Sequence, residues 1–87
     1  MNNLSKFRPA GELETTMVGK LVYLVLKDIV DEENTTTIPQ KRISEALGIS
    51  RSTVSQALRK LYRRGYISVI PQFNDLGGQM PNKYIVL

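Results

Sequence analysis

The sequence predicts a mainly α domain in which three helices are followed by a small β-hairpin. Three observations carry that expectation. Apolar residues recur at helical spacing from Leu13 to Glu32 and again from Gln40 to Arg64. Gly48 interrupts the second of these regions, between "SEAL" and "ISRS". Beyond Gly65 the pattern changes to the β-rich runs "YISVI" and "KYIVL", separated by two Pro and two Gly. A chain of 87 residues has room for one modest core and no second lobe.

Residues 1–12 contain Pro9 and Gly11 without periodicity and read as a flexible arm. Helix 1 is expected over 13–32. Val18, Val22, Val25 and Ile29 form one stripe, flanked by Leu21 and Leu26. Met17, Leu24, Tyr23 and Val30 widen the apolar arc to about two-thirds of the circumference, against roughly 100–140° for a surface helix. The polar wedge holds only Lys20, Lys27, Asp28 and Asp31. So much apolar surface needs a cover. Either a second copy of the chain supplies it, with Met17, Leu21, Tyr23 and Leu24 as the dimer interface, or helix 1 is central and wrapped by the rest of the fold.

A short strand is expected around Thr36–Ile38, then helix 2 over 40–47 with Ile43, Ala46 and Leu47 facing inward. Gly48 suits the left-handed position that ends a helix. Ile49 plugs the core, and Ser50 caps a third helix over 51–64. A hairpin over 66–87 closes the chain, its strands joined by the turn-rich loop "PQFNDLGGQMPN".

Composition excludes several function classes. With no Cys and no His, disulfides, thiolate metal sites and the commonest general base are all absent. No Ser–Lys or Ser–Glu constellation suggests a nucleophile, so an enzyme is not expected, and neither is a metal or other cofactor. The N-terminus has no apolar signal core, and no apolar run approaches the roughly 20 residues that span a bilayer. A cytoplasmic protein without a membrane partner is the expectation. Charge is uneven. Residues 1–39 hold four Lys/Arg against six Asp/Glu, and residues 40–87 hold eight against two. A basic half of this kind fits a polyanionic partner.

The stretch "ISEALGISRSTVSQALRKL" is two short helices around a Gly turn, the helix-turn-helix pattern. With Val54 taken as inward, Ala57, Leu58 and Leu61 lie within about 60° of it, and Ser52, Gln56, Arg59 and Arg63 within about 40° of the opposite direction. Arg can bond guanine bidentately and Gln adenine, while Ser and Thr reach phosphates or bases from a deeply seated backbone. The amides that open the third helix, beside Ser50, Ser52 and Thr53, add a phosphate clamp. From Ser50 to Gly65 there is no acidic residue, which a merely solvated helix face would normally carry. Tyr62 and Tyr66 read as packing at the core edge.

The run "LGISRSTVSQALRKLYRRGYI" resembles the DNA-binding domains of the GntR-type and MarR-type winged helix-turn-helix transcription regulators. The resemblance covers residues 37–71 well and the wing more loosely. It implies a three-helix winged helix-turn-helix domain with the second motif helix in the major groove. Carried over, Arg51, Ser52, Thr53, Ser55, Gln56 and Arg59 match groove-facing positions, and Lys41 and Arg42 match backbone-contacting ones. Lys60, Arg63 and, in the wing, Lys83 complete the expected DNA-binding set. The wing, "NDLGGQMPNK", departs from basic, glycine-rich wings in carrying Asp75 and only Lys83. No effector domain follows, so no small-molecule effector is expected. The leading function is sequence-specific binding of double-stranded DNA by a homodimeric transcriptional regulator. The alternative is a winged-helix module that docks a protein partner or serves a plasmid or phage replication or partition complex.

Overall fold

The computed structural model describes residues 16–87. The expected arm over 1–12 and the expected start of the first helix lie outside them. Three helices, α1 (Met17–Ile29), α2 (Gln40–Leu47) and α3 (Arg51–Arg63), stand against a sheet of β1 (Thr35–Thr37), β2 (Ile67–Phe73) and β3 (Gln79–Val86). The sheet is antiparallel with β3 in the middle, in the order β1-β3-β2. This is the winged-helix arrangement, with β1 added to the expected hairpin as a third strand. Among the described residues no helix is long and apolar enough to cross a membrane.

Each helix is closed by local chemistry. Thr16 caps α1 by accepting from the Gly19 amide at 3.1 Å. At the other end α1 stops at Ile29, short of the expected Glu32. The Asp31 carboxylate accepts from the amides of Glu33 and Thr35 at 2.8 and 3.0 Å, and Asn34 turns left-handed at φ 59°. A side chain that binds its own downstream backbone competes with the helix ladder, and here it prevails. Gly48, at φ 68°, ends α2 in the left-handed region that a Cβ disfavours. The Ser44 hydroxyl donates to the Ile49 carbonyl at 2.7 Å and holds the turn closed. Ser50 then opens α3, accepting from the Thr53 amide at 3.1 Å.

The core gathers Val22, Tyr23 and Leu26 of α1, Ile43 of α2, and Val54, Ala57, Leu58 and Leu61 of α3 around Tyr66, Ile67, Tyr84 and Val86. α1 packs chiefly on α3. Its buried side, Gly19, Val22, Tyr23 and Leu26, is rotated by roughly 80° from the stripe centred on Val22 and Val25 that hydropathy alone selects. Ile29 ends up 40 % exposed. Tyr23 is therefore a core residue and not part of a dimer interface. It is 3 % exposed, its ring meets Tyr66 edge-on with centroids 6.2 Å apart, and Lys27 Nζ lies 5.9 Å from its centroid. Ala46, expected to face inward, is exposed.

The loop expected between the hairpin strands is much shorter than "PQFNDLGGQMPN". β2 runs on to Phe73 and β3 restarts at Gln79, so residues 74–78 alone make the turn. Asn74 Oδ1 organises it, accepting from the amides of Leu76 and Gly78 at 2.9 and 2.7 Å. The strands absorb both prolines at a bulge. Ile70 faces Lys83 and Gln72 faces Met80, so Pro71 opposes both Pro81 and Asn82. Proline has no amide to give a ladder, and a bulge is where a ladder does without one.

Candidate nucleic-acid interface

α3 presents three ridges, set by its helical period and by its neighbours. The outward pole carries Ser52, Gln56 and Arg63, all exposed. On one flank Arg51, Ser55, Arg59 and Tyr62 turn toward the sheet. On the other, Thr53, Gln56 and Lys60 border the start of α1, lining a shallow cleft with Thr16 and Val18. Inward-facing Val54, Ala57, Leu58 and Leu61 are buried and lock this orientation. A helix anchored along one whole side and charged along the other is held rigidly enough to enter a groove.

Most of the expected DNA-binding residues fall on this surface. Arg51, Ser52, Gln56, Arg59, Lys60 and Arg63 are exposed, and Ser55 is half-buried on the sheet side. Lys41 and Arg42 are exposed in the first turn of α2, where their charges oppose the positive end of the helix dipole. Cations cost stability at such a place, and an approaching phosphate offsets that cost. Two expectations need correction. Thr53 is half-buried and its hydroxyl lies 2.7 Å from Ser50 Oγ, so it serves the helix cap. Since the Thr53 amide is also taken by Ser50, the phosphate clamp loses that donor. Lys83 is half-buried in the central strand, between Thr37 and Ile70. Successive strand residues alternate faces, and Tyr84 is the one aimed at the helices, so Lys83 lies on the far side of the sheet from α3.

Sequence reasoning missed a polar seam between α3 and the wing. Two adjoining clefts, of about 260 and 320 Å³, share Gln40, Asn82 and Tyr84 as their floor. Arg59, Ser55 and Tyr62 wall the first, and Arg51, Met80 and Pro81 the second. Tyr62, expected at the core edge, is 55 % exposed beside Arg59. Its position was legible, since at about 80° from Val54 it shares the flank of Arg51 and Ser55. Gln40 Nε2 donates to Tyr84 Oη at 3.5 Å. Asn82 Oδ1, by contrast, is buried with no hydrogen-bond partner among the described residues. An orphaned buried acceptor costs about 1–3 kcal/mol. Strand alternation puts Asn82 on the face of Tyr84, two residues on, but that its oxygen is buried shows only once the sheet is packed on the helices.

Residues 24–72 match the family described as "Iron dependent repressor, N-terminal DNA binding domain". The match starts within α1, takes in β1, α2 and α3, and ends in β2. It bears on the winged fold and on DNA binding, and not on the GntR or MarR type. No curated protein and no solved structure matches the chain.

The iron in that description does not fit the residues present. The chain has neither His nor Cys, the imidazole and thiolate donors that commonly hold iron. Among the described residues no group of three or more His, Cys, Asp or Glu could hold a metal ion. Ferrous iron or a chelator is therefore expected to leave the DNA affinity of this chain unchanged, where an allosteric effector typically shifts affinity about 5- to 150-fold. Anisotropy titrations with and without added iron read this directly, and a gain in affinity with the metal would refute it. What the chain does share is a rigidly held basic helix flanked by a wing, matched over more than half its length. By this match over more than half its sequence it belongs to the iron-dependent repressor family, as a winged DNA-binding domain.

Proposed function

We propose that the chain is a sequence-specific transcriptional regulator that binds double-stranded DNA as a homodimer, with α3 of each copy in a major groove. The outward face of α3 carries this reading. Ser52, Gln56, Arg59 and Arg63 stand exposed on it, and no carboxylate lies between Ser50 and Gly65. Ser52, Ser55, Gln56 and Arg59 read base edges, while Lys41, Arg42, Arg51, Lys60 and Arg63 hold the phosphates on either side.

The exposed side of α1 supports the dimer. Met17, Leu21 and Leu24 are 69, 40 and 47 % exposed and lie directly opposite the buried Gly19, Val22, Tyr23 and Leu26. Three large apolar side chains on the outward pole of a helix are what a second copy covers. A homodimer of this kind reads a two-fold site whose half-sites lie about 34 Å apart or a multiple of that.

The test is fluorescence anisotropy with a random-sequence duplex across several salt concentrations. Binding that tightens steeply at low salt supports the reading, and a flat response with no binding rejects it. Two variants separate the roles. Arg59→Ala is expected to cost about 1–3 kcal/mol and relax base preference at one position, whereas Lys41→Ala weakens all duplexes alike and lowers the salt slope by about 1. If Arg59→Ala leaves both affinity and preference intact, the docking is wrong. A second reading, docking of a protein partner, draws on the apolar wing, where Phe73, Leu76 and Met80 are 62, 96 and 45 % exposed. It gains ground only on the flat response.

A further inference from the structure

We infer that Asn82 of the wing is a positioning residue for Arg59 of the recognition helix, holding its guanidinium in the orientation that reads a guanine. The inference rests on the docking of α3 proposed above and adds a part that no position on α3 supplies. Three observations carry it.

The first is placement. Asn82 lies two residues before Tyr84 on β3, so strand alternation puts both on the face turned to α3, where they share the cleft floor. The adjoining bulge, where Pro71 opposes both Pro81 and Asn82, bends the strand at this point. The second is the unmet acceptor. Asn82 Oδ1 is buried without a partner among the described residues, although Gln40 and Tyr84 beside it are bonded to each other. The third is the unmet donor. Arg59 walls the same cleft and is exposed, and no side-chain hydrogen bond or ion pair holds its guanidinium among the described residues.

The chemistry of the two groups is complementary. A guanidinium has five N–H donors in a rigid planar fork and no acceptor. Bidentate bonding to guanine O6 and N7 uses the two terminal nitrogens and leaves Nε–H facing back along the side chain. Asn82 Oδ1 accepts that proton. The walls beside it, Leu58, Tyr62 and Val69, are largely apolar, which strengthens a bond to a charged donor. Ser55 lines the cleft too, but its short side chain stays on the helix. Arg51 adjoins Asn82 on the second cleft, where Gln79 offers it another acceptor. Arg59 is therefore the partner. The wing acts on specificity from below, through the recognition helix, without a basic tip of its own.

The test uses the full chain with a duplex library randomised over its central positions, sequencing the bound fraction for the parent, Arg59→Ala, Asn82→Ala and the double variant. Asn82→Ala is expected to lower guanine preference about 10- to 150-fold at the position that Arg59→Ala flattens, as loss of one hydrogen bond to a charged group implies. Affinity for random duplex at matched salt is expected to stay within about twofold, because phosphate contacts carry it. The double variant should read no worse than Arg59→Ala alone. Asn82→Asp, which keeps the acceptor, retains the guanine preference while binding all duplexes more weakly. Asn82→Leu loses the preference, and it serves in place of Asn82→Ala should that variant not fold. Unchanged preference in Asn82→Ala, losses that multiply in the double variant, or coupling to Arg51→Ala instead would each overturn the inference. If Arg59→Ala by itself flattens no position, the docking of α3 fails first and the inference falls with it.

Discussion

Leu24→Lys is expected to give a folded monomer that binds a two-half-site duplex about 10²- to 10⁴-fold more weakly than the parent chain. The size of the effect comes from linkage. In a dimer the second recognition helix meets its half-site at an effective concentration set by the first, and a monomer has no such advantage. Leu24 is 47 % exposed and stands with Met17 and Leu21 on the outward pole of α1. A lysine there is well solvated in the monomer, so the fold should change in stability by no more than about 0.5 kcal/mol. In the dimer two such charges would be pressed into an apolar seam near each other. Sedimentation equilibrium reads the mass and a thermal melt reads the fold. A dimeric mass in Leu24→Lys would place the contact elsewhere, and a monomeric parent would remove it altogether.

Leu61→Ala is expected to cost about 2–5 kcal/mol, the range for a buried Leu whose cavity cannot close. Leu61 is 0 % exposed and belongs to the cluster that joins α1, α3 and the sheet. For a domain of this size each kcal/mol lowers Tm by about 4–8 °C, and total stability is about 5–15 kcal/mol. Leu61→Ala should therefore melt at least about 8 °C below the parent by circular dichroism, and its DNA affinity should fall only as its folded fraction falls. Arg63→Ala, two residues further along the same helix, should show the reverse, with weaker DNA binding and little change in Tm. If Leu61→Ala melts with the parent, the inward face of α3 is wrongly assigned, and the outward face with it.

How much of the site was legible depended on how local its cause was. The outward face of α3 follows from one helix period, one cap and the inward run Val54, Leu58 and Leu61, all within a dozen or so residues. Asn82 and Tyr62 did not stand out, for different reasons. Tyr62 could have been placed by its angle on the helix, but an aromatic near a core reads as core. Asn82 shares the face of Tyr84 by strand alternation, but the burial of its oxygen in a cleft against α3 shows only once the sheet is packed on the helices.

The same division runs through the fold. The sequence by itself determined the three-helix winged class, the Gly48 turn, the Ser50 cap, the acid-free helix and the lack of His and Cys that leaves an iron site without its usual donors. Each depends on residue identity or on neighbours a few positions apart, and chemistry at that range is written in order along the chain. Only the tertiary structure decided which side of α1 is buried, that β1 joins β3, that Lys83 faces away from α3 and that Asn82 faces toward it. For α1 the reason is physical. Its apolar arc is so wide that hydropathy has no sharp maximum, and the fit of Tyr23 against Tyr66 selects the buried side. Strand pairing is likewise settled by contacts between residues far apart in sequence. Where several faces or partners satisfy the local rules equally, packing across the core makes the choice.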